Sequence, residues 1–189
     1  MSHSIDDGMH TLKDKGDQNL VTGTVANDTL DGTAGNDKIN GDAGDDILTD
    51  TLGGNDILLG GAGNDSITVG RDAASTDDIH ILGGFGDDTV TFNGAAGNQV
   101  TLSIDTGSGA NIVEIDHAFQ VRALGGNDAD TFTVSTDHYA LVHAAGGDDT
   151  VNVSSTDGTA RTGVSTGDGV DTVNLSGDND GHYRMRLGE

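Results

Sequence analysis

Aspartate recurs at a fixed position in a run of nonapeptides. Residues 23–49 read GTVANDTLD, GTAGNDKIN and GDAGDDILT; after one inserted residue, Asp50, follow TLGGNDILL and GGAGNDSIT, and GGFGDDTVT covers 83–91. The glycines before each aspartate permit positive φ and turn carbonyl groups inward, where the short carboxylate side chain also reaches. Each turn therefore offers half a cage of hard oxygen atoms. The sixth position of each copy is aspartate: Asp28, Asp37, Asp46, Asp56, Asp65 and Asp88.

The corner one coil further along supplies the other half of the cage. The oxygen ligands of the complete cage favour calcium. Ca²⁺ takes roughly 6–8 oxygen ligands at about 2.3–2.6 Å, whereas Mg²⁺ demands a stricter octahedron and retains water. Transition metals prefer imidazole or thiolate ligands, which these turns lack. The expected cofactor is Ca²⁺, as several ions shared between adjacent coils.

The spacing of these aspartates continues beyond the regular repeats and defines two series of corners. Steps of 18–23 residues separate neighbours within each series, so one step is one coil with two corners. Stretches of high β-propensity such as TVTF and QVTLSI follow the corners. The first series is Asp28, Asp46, Asp65, Asp88, Asn111, Asp130, Asp149 and Asp171, and the second is Asp37, Asp56, Asp77, Asn98, Asp116, Asp137 and Asp157.

This periodicity predicts an all-β fold, a right-handed parallel β-roll or β-solenoid of roughly seven coils with two sheets and Gly/Asp corners. The aliphatic eighth position, such as Leu30 or Ile67, turns between the sheets as core. We expect four segments: a leader or N-terminal cap at 1–22, the regular repeats at 23–91, longer degenerate coils at 92–176, and a C-terminal cap or tail at 177–189.

The amino-acid composition limits the classes of partner that this chain could bind. The chain of 189 residues has 32 acidic and 8 basic side chains, a formal charge of -24, so a basic nucleic-acid-binding surface is not expected. Thirty of the acids are Asp, which indicates a need for short carboxylates near the backbone. Cysteine is absent, which excludes disulfides and thiolate sites. No apolar run is long enough to span a membrane, and the first ten residues lack the features of a secretory signal.

The pattern GGxGxDxUx, seen as GGAGNDSIT and GGFGDDTVT, resembles the calcium-binding nonapeptide repeat of the RTX (repeats-in-toxin, haemolysin-type) proteins. The close resemblance covers about 23–91, and a degenerate form reaches about 175. It implies a calcium-loaded β-roll, secreted from a Gram-negative bacterium by a type I exporter that reads an uncleaved C-terminal signal.

The resemblance also implies a set of metal ligands. Carboxylates would come from Asp28, Asp37, Asp46, Asp56, Asp65, Asp88, Asp130, Asp149 and Asp171. Loop residues would add backbone carbonyls: Gly32, Ala34, Gly41, Ala43, Gly53, Gly54, Gly60, Ala62, Gly63, Gly83, Phe85 and Gly86. Neighbouring acids (Asp42, Asp45, Asp87 and Asp148) are expected to be solvated or to lie outside the ligand set. Asp116, Asp137 and Asp157 lack a preceding glycine pair and are interpreted as structural turn residues.

Three functional classes remain to be compared. The favoured one is a non-enzymatic structural or adhesive module of a surface layer, adhesin or extracellular filament, folding on calcium and associating end to end through weakly capped ends. A calcium module of a larger secreted enzyme is the alternative. If Phe119, Val121 and Val142 face inward, then Arg122, His143 and Arg161 face outward. Together with the nearby His138 and Tyr139 they would form the enzymatic site, which could hold an acidic sugar. Ice or surface adsorption by threonine ladders is the third class, after the structural and the enzymatic ones.

Overall fold

The computed structural model describes residues 10–13, 18–155, 160–177 and 183–188. All regular structure in this part of the chain is β-strand. In chain order the strands are β1 (His10–Lys13), β2 (Asn19–Thr22), β3 (Thr29–Asp31), β4 (Asp37–Ala43), β5 (Ile47–Asp50), β6 (Ile57–Ala62), β7 (Ser66–Arg71), β8 (Asp78–Phe85), β9 (Thr89–Gly94), β10 (Thr101–Ser108), β11 (Ile112–Leu124), β12 (Thr131–His143), β13 (Thr150–Ser155), β14 (Arg161–Gly167), β15 (Thr172–Gly177) and β16 (Tyr183–Leu187).

Strands that are one coil apart pair in parallel and form two ladders. After the first-series corners come β3, β5, β7, β9, the first half of β11, the first half of β12, β13 and β15. After the second-series corners come β2, β4, β6, β8, β10, the second halves of β11 and β12, β14 and β16. The expected all-β parallel solenoid is confirmed, with about eight coils where the sequence suggested roughly seven.

The eighth position of the nonapeptide builds the core, as the periodicity predicts. In the first ladder Leu30, Leu48 and Ile67 are paired partners in successive coils, and all three are fully buried. In the second ladder Ile39, Leu58 and Ile81 repeat this arrangement. Because every coil places an apolar side chain over the one before it, the core is a continuous stack between the two ladders.

The fifth and sixth coils turn the second-series corner without a break in the strand. β11 and β12 each run through this corner as strands of 13 residues, and their pairing shifts register between Ile115 and Ala118 and again between Ala118 and Gln120. His117 has φ 49° at this point. The two ladders are therefore joined through β11 and β12, because a β-bulge turns the chain where a glycine pair is missing.

That bulge changes which side chain enters the core. The interpretation that Phe119 faces inward is wrong: Ala118 is fully buried, whereas Phe119 is half-buried and its ring stacks on His138 at a centroid distance of 4.7 Å. Val121 and Val142 are buried as expected. A bulge adds one residue to the strand, so the inward–outward alternation shifts by one position.

The ends of the solenoid differ. At the N-terminal end β1 pairs antiparallel with β2, covering one edge. At the other end Val173 and Leu175 are half-buried, and Tyr183, Met185 and Leu187 of β16 are exposed. Across the described ranges, no helix has the length and apolar character needed to cross a membrane.

Candidate calcium corners

The first-series corners are linked by a ladder of side-chain hydrogen bonds. In each corner the Oδ1 atom of the sixth residue accepts a bond from the backbone N–H of the sixth residue one coil earlier. The N···O distances lie between 2.8 and 3.0 Å along the series. The acceptors, in order, are Asp46, Asp65, Asp88, Asn111, Asp130, Asp149 and Asp171. One carboxylate oxygen of each aspartate is thus fixed by the fold.

The second carboxylate oxygen lacks any such partner at four of these corners. The Oδ2 atoms of Asp46, Asp65, Asp88 and Asp149 are buried without a hydrogen-bond partner among the described residues. These four residues are only 1–2% exposed. An anionic oxygen held away from water without a partner is costly, so each of these atoms requires a cation or a proton.

Backbone oxygens converge on the same space. A Cβ atom added to Gly41, Gly60 or Gly83 would clash with two groups at once. One is the Oδ2 atom of the aspartate five residues later in the same corner, and the other is a carbonyl oxygen of the next coil, from Gly60, Gly83 and Thr106 respectively. Glycine is required there because any side chain would fill the gap. Carboxylate and carbonyl oxygens from adjacent coils therefore surround one position, a ligand set that suits Ca²⁺.

Burial also makes these carboxylates easier to protonate. Burial raises the pKa of Asp46, Asp88 and Asp149 to about 6, with neighbouring aspartates adding to the effect. Burial also raises the pKa of Asp65 and Asp130. A divalent cation beside the Oδ2 atoms reverses this shift because it stabilises the ionised form. The corners therefore fit calcium by ligand type, burial and charge.

Other corner residues already have internal partners. The Oδ2 atom of Asp28 accepts bonds from the N–H and hydroxyl of Thr24, and Asp37 is bonded in the same way to Thr33. The Oδ2 atom of Asp130 accepts a bond of 2.9 Å from the Gly126 N–H. These three carboxylates remain available to an ion, but their burial alone does not demand one. Asp171, in the last first-series corner, is half-exposed.

The second-series corners begin with the same hydrogen bond between successive aspartates, but the later corners have different contacts. The Oδ1 atom of Asp56 accepts a bond of 2.8 Å from the Asp37 N–H. One coil later the guanidinium of Arg71 enters the corner and forms an ion pair with Asp56 and another, of 2.9 Å, with Asp77. Arg71 also donates to the carbonyls of Asp50 and Gly54 at 3.0 and 3.3 Å. A permanent cation thus occupies this corner.

Later second-series corners are held together by hydrogen bonds. Asn98 donates to the carbonyls of Ala95 and His117 and accepts from the Val100 N–H. Asp137 accepts a bond of 3.4 Å from the Gly97 N–H and lies 3.4 Å from His117 Nδ1. The interpretation of Asp116 and Asp137 as turn residues stays a prediction, and Asp157 lies outside the described residues.

The predicted carbonyl ligands have different surroundings. The carbonyls of Gly41, Gly60 and Gly83 lie beside the corner carboxylates, and the Gly54 carbonyl accepts from Arg71. The carbonyls of two others accept backbone bonds of 2.8 Å between coils: Ala62 from Gly44 and Phe85 from Gly63. Left-handed φ values occur at Gly53, Gly54, Gly63 and Gly86, and Gly32, Ala34 and Ala43 complete the predicted set.

The fifth position forms an outer ladder that the sequence interpretation missed. Asp45 accepts a bond of 2.8 Å from the Asn64 N–H, and Asn64 in turn accepts one of 2.8 Å from the Asp87 N–H. Asp148 accepts one of 2.9 Å from the Val170 N–H. These exposed side chains therefore tie successive coils together. The recurrence of Asn or Asp at position five, seen at Asn27, Asn36, Asp45, Asn55 and Asn64, was the available signal.

Two buried charged residues were also missed. Asp50 is 1% exposed and Arg71 is 6% exposed, and both lie in the second-series corners. Asp50 is the residue that interrupts the nine-residue spacing, and Arg71 is the first arginine of the chain. Burial, together with a hydrogen bond to Asp50, raises the pKa of Asp56 to about 8.

The residues of the enzymatic alternative share one outer face without forming a single row. Arg161 pairs with Tyr139, Arg122 pairs with Leu141, and His143 pairs with Leu124. Arg122, His138 and Arg161 are exposed, and Tyr139 and His143 are half-exposed. The face is basic and partly aromatic in an otherwise acidic protein.

Comparison with known families agrees with this geometry. The family of the RTX calcium-binding nonapeptide repeat (4 copies) matches residues 21–49 and 50–73. The chain therefore carries RTX calcium-binding nonapeptide repeats in its N-terminal coils. The match ends at residue 73, short of the resemblance expected to 91, although the corner ladder continues to Asp171. Neither the curated proteins nor the solved structures include a significant match to the chain.

Proposed function

We propose that this chain is a secreted, non-catalytic structural or adhesive module that folds when it binds calcium outside the cell. The observation that carries the proposal is the set of four buried carboxylate oxygens without partners, at Asp46, Asp65, Asp88 and Asp149. At Asp46, Asp65 and Asp88 a backbone carbonyl of the next coil converges on the same space, which gives an oxygen environment suited to Ca²⁺. Calcium-binding repeats in a β-solenoid support this assignment.

Electrostatics makes the ion part of folding. The chain carries a formal charge of -24, so compacting it into stacked coils brings like charges together. Each calcium ion neutralises two charges and links residues of adjacent coils. Because the site exists only when the coils are stacked, the free energy of binding adds to the free energy of folding.

Calcium concentration then determines where the protein folds. Extracellular calcium modules bind with dissociation constants of roughly 10⁻⁴–10⁻³ M, so such a chain stays unfolded where free calcium is scarce. RTX repeats are typical of secreted proteins of Gram-negative bacteria. We propose export by a type I system as an unfolded chain, followed by folding at the cell surface or in the medium.

The structural role rests on the shape of the module and on its ends. A solenoid presents long sheet faces for contact, and its terminal coils carry strand edges that can accept another strand. The exposed side chains of Tyr183, Met185 and Leu187 continue the stack beyond the last coil. We propose calcium-dependent end-to-end association into filaments, since a head-to-tail contact of this kind does not close.

Far-UV circular dichroism during a calcium titration tests the proposal. Protein stripped of calcium on a chelating resin should lack a β spectrum at submicromolar calcium and gain one in the millimolar range. Millimolar magnesium is the control, and it should not replace calcium. An unchanged β spectrum from zero to millimolar calcium would rule out calcium-dependent folding.

A further inference from the structure

Three buried aspartates meet at one second-series corner. Ligand oxygens of Asp37, Asp50 and Asp56 lie within 4.8 Å of one another, and all three residues are at most 1% exposed. Asp50 lies outside the nonapeptide register, because it is the residue inserted between two repeats. Its side chain lies against Gly32, where a Cβ atom would come within 2.8 Å of the Asp50 carboxyl carbon.

The Asp50 carboxylate is only partly satisfied by its neighbours. Its Oδ2 atom is buried and has no hydrogen-bond partner among the described residues. The Oδ1 atom accepts a bond of 3.3 Å from the Leu52 N–H and lies 3.6 Å from Arg71. While Asp56 is ionised, the Asp50 side chain therefore keeps one buried anionic oxygen without a hydrogen-bond donor from the described part of the chain.

The buried charges at this corner do not cancel. With all three carboxylates ionised, Asp37, Asp50 and Asp56 contribute −3 and Arg71 contributes +1, so the buried sum is −2. Asp77, the other partner of Arg71, has a side chain 21% exposed and is partly solvated. One divalent cation brings the buried sum to zero. Uncompensated buried charge is strongly unfavourable, so this corner must take up either a divalent cation or a proton.

We propose that Asp37, Asp50 and Asp56 hold one calcium ion beside the fixed guanidinium of Arg71. The ligands are hard oxygens carried by two adjacent coils, which favours Ca²⁺. This site differs from the first-series corners, where each coil contributes one carboxylate, because here Asp50 adds a third. The inference rests on the proposed calcium-dependent folding and extends it to a residue outside the repeat.

Counting bound ions tests the site. In the full-length protein refolded with calcium, equilibrium dialysis with atomic absorption should find one ion fewer in Asp50→Asn than in the parent. Asp50→Gly should lose the same ion, since glycine is the residue at the equivalent position, Gly32, of the preceding corner. Asp31→Asn, an exposed aspartate one residue before Gly32, is the matched control and should bind the parental number.

A second measurement uses the parent protein, so it tests the Asp50 site even if a variant does not fold. Anomalous scattering from crystals grown with calcium should place an ion at about 2.3–2.6 Å from Asp50 Oδ2. Ions at the first-series corners with none at Asp50, or folded Asp50 variants with the parental ion count, would overturn this inference and leave the proposed function standing. Parent protein that folds without binding any calcium would overturn both.

Discussion

Asn111 takes the place of an aspartate in the first-series ladder and keeps its hydrogen bond. Its Oδ1 atom accepts a bond of 2.9 Å from the Asp88 N–H, as the aspartates do in the other coils. Its Nδ2 atom donates to the Gly109 carbonyl at 2.8 Å. The amide therefore preserves the stacking of coils while an N–H donor stands where a carboxylate oxygen would be, so this corner is stable without an ion.

Asn111→Asp should create an additional calcium corner. The new carboxylate keeps the bond to the Asp88 N–H but loses the donor to Gly109 and gains a buried anionic oxygen. We expect one more bound ion by equilibrium dialysis. Without calcium, the buried charge should disfavour the folded state further, by about 2 kcal/mol. An unchanged ion count would show that the sequence of this corner does not control binding.

Asp65→Asn is the reverse experiment. Asparagine at this position should keep the bond to the Asp46 N–H, as Asn111 does in its own coil, while the anionic Oδ2 atom is removed. Calorimetric titration should show one ion fewer and weaker binding of the remaining ions. Asp42→Asn is the matched control: Asp42 is exposed and has φ 78°, a conformation that asparagine also tolerates. Equal losses in both variants would mean that the register has been misread.

The sequence predicts the repeating part of this structure well. Because one nonapeptide specifies both the corner and the core, reading positions six and eight was enough to predict the solenoid and the buried Leu30 and Ile67. Asp50 and Arg71 were missed because an ion pair between coils depends on which corners become neighbours. Phe119 was placed on the wrong side because a bulge, which leaves no glycine signal here, shifts the alternation.

Acidification should have opposite effects with and without calcium. Burial raises the folded-state pKa of Asp46, Asp88 and Asp149 from 3.8 to about 6, so between these values the calcium-free folded state binds more protons than the unfolded chain. The stability of the calcium-free state therefore rises as pH falls from 7 to 5. With calcium present it falls, because protons compete for the ligand oxygens.

Far-UV circular dichroism at pH 7, 6 and 5 follows the calcium-free protein, whose β signal should grow as the pH falls. Urea unfolding in millimolar calcium at the same pH values follows the calcium-loaded protein. The calcium-free samples are prepared on a chelating resin, since soluble chelators weaken at low pH. Parallel pH profiles with and without calcium would contradict this linkage, because they would mean that the same carboxylates do not bind both protons and calcium.

Arg71→Met should destabilise the calcium-loaded protein by about 3 kcal/mol or more. Removing one partner of a buried ion pair leaves the other charge uncompensated, and here Asp56 would remain fully buried. The free energy of unfolding comes from urea denaturation in millimolar calcium. Arg122→Met, at an exposed position on the outer face of β11, should change it by less than about 0.5 kcal/mol. A loss no larger than that of the control would show that the guanidinium has no structural role.

End-to-end association should depend on the last coil. Met185 is 52% exposed on β16 and pairs with the buried Val164, so it continues the core beyond the end of the stack. Sedimentation velocity in calcium should show concentration-dependent assemblies of the parent and a monomer for Met185→Lys. Leu82→Lys, at a position 45% exposed on the side face of β8, should assemble like the parent. A monomeric parent at high concentration in calcium would refute association.

The central claim is that the buried Oδ2 atoms of the first-series corners are calcium ligands. A calcium anomalous difference map, from crystals grown in millimolar calcium, tests this claim most directly. It should show peaks at about 2.3–2.6 Å from the Oδ2 atoms of Asp46, Asp65, Asp88 and Asp149, and none between Asn111 Nδ2 and the Gly109 carbonyl. A folded protein whose map has no peak at these four carboxylates would contradict it.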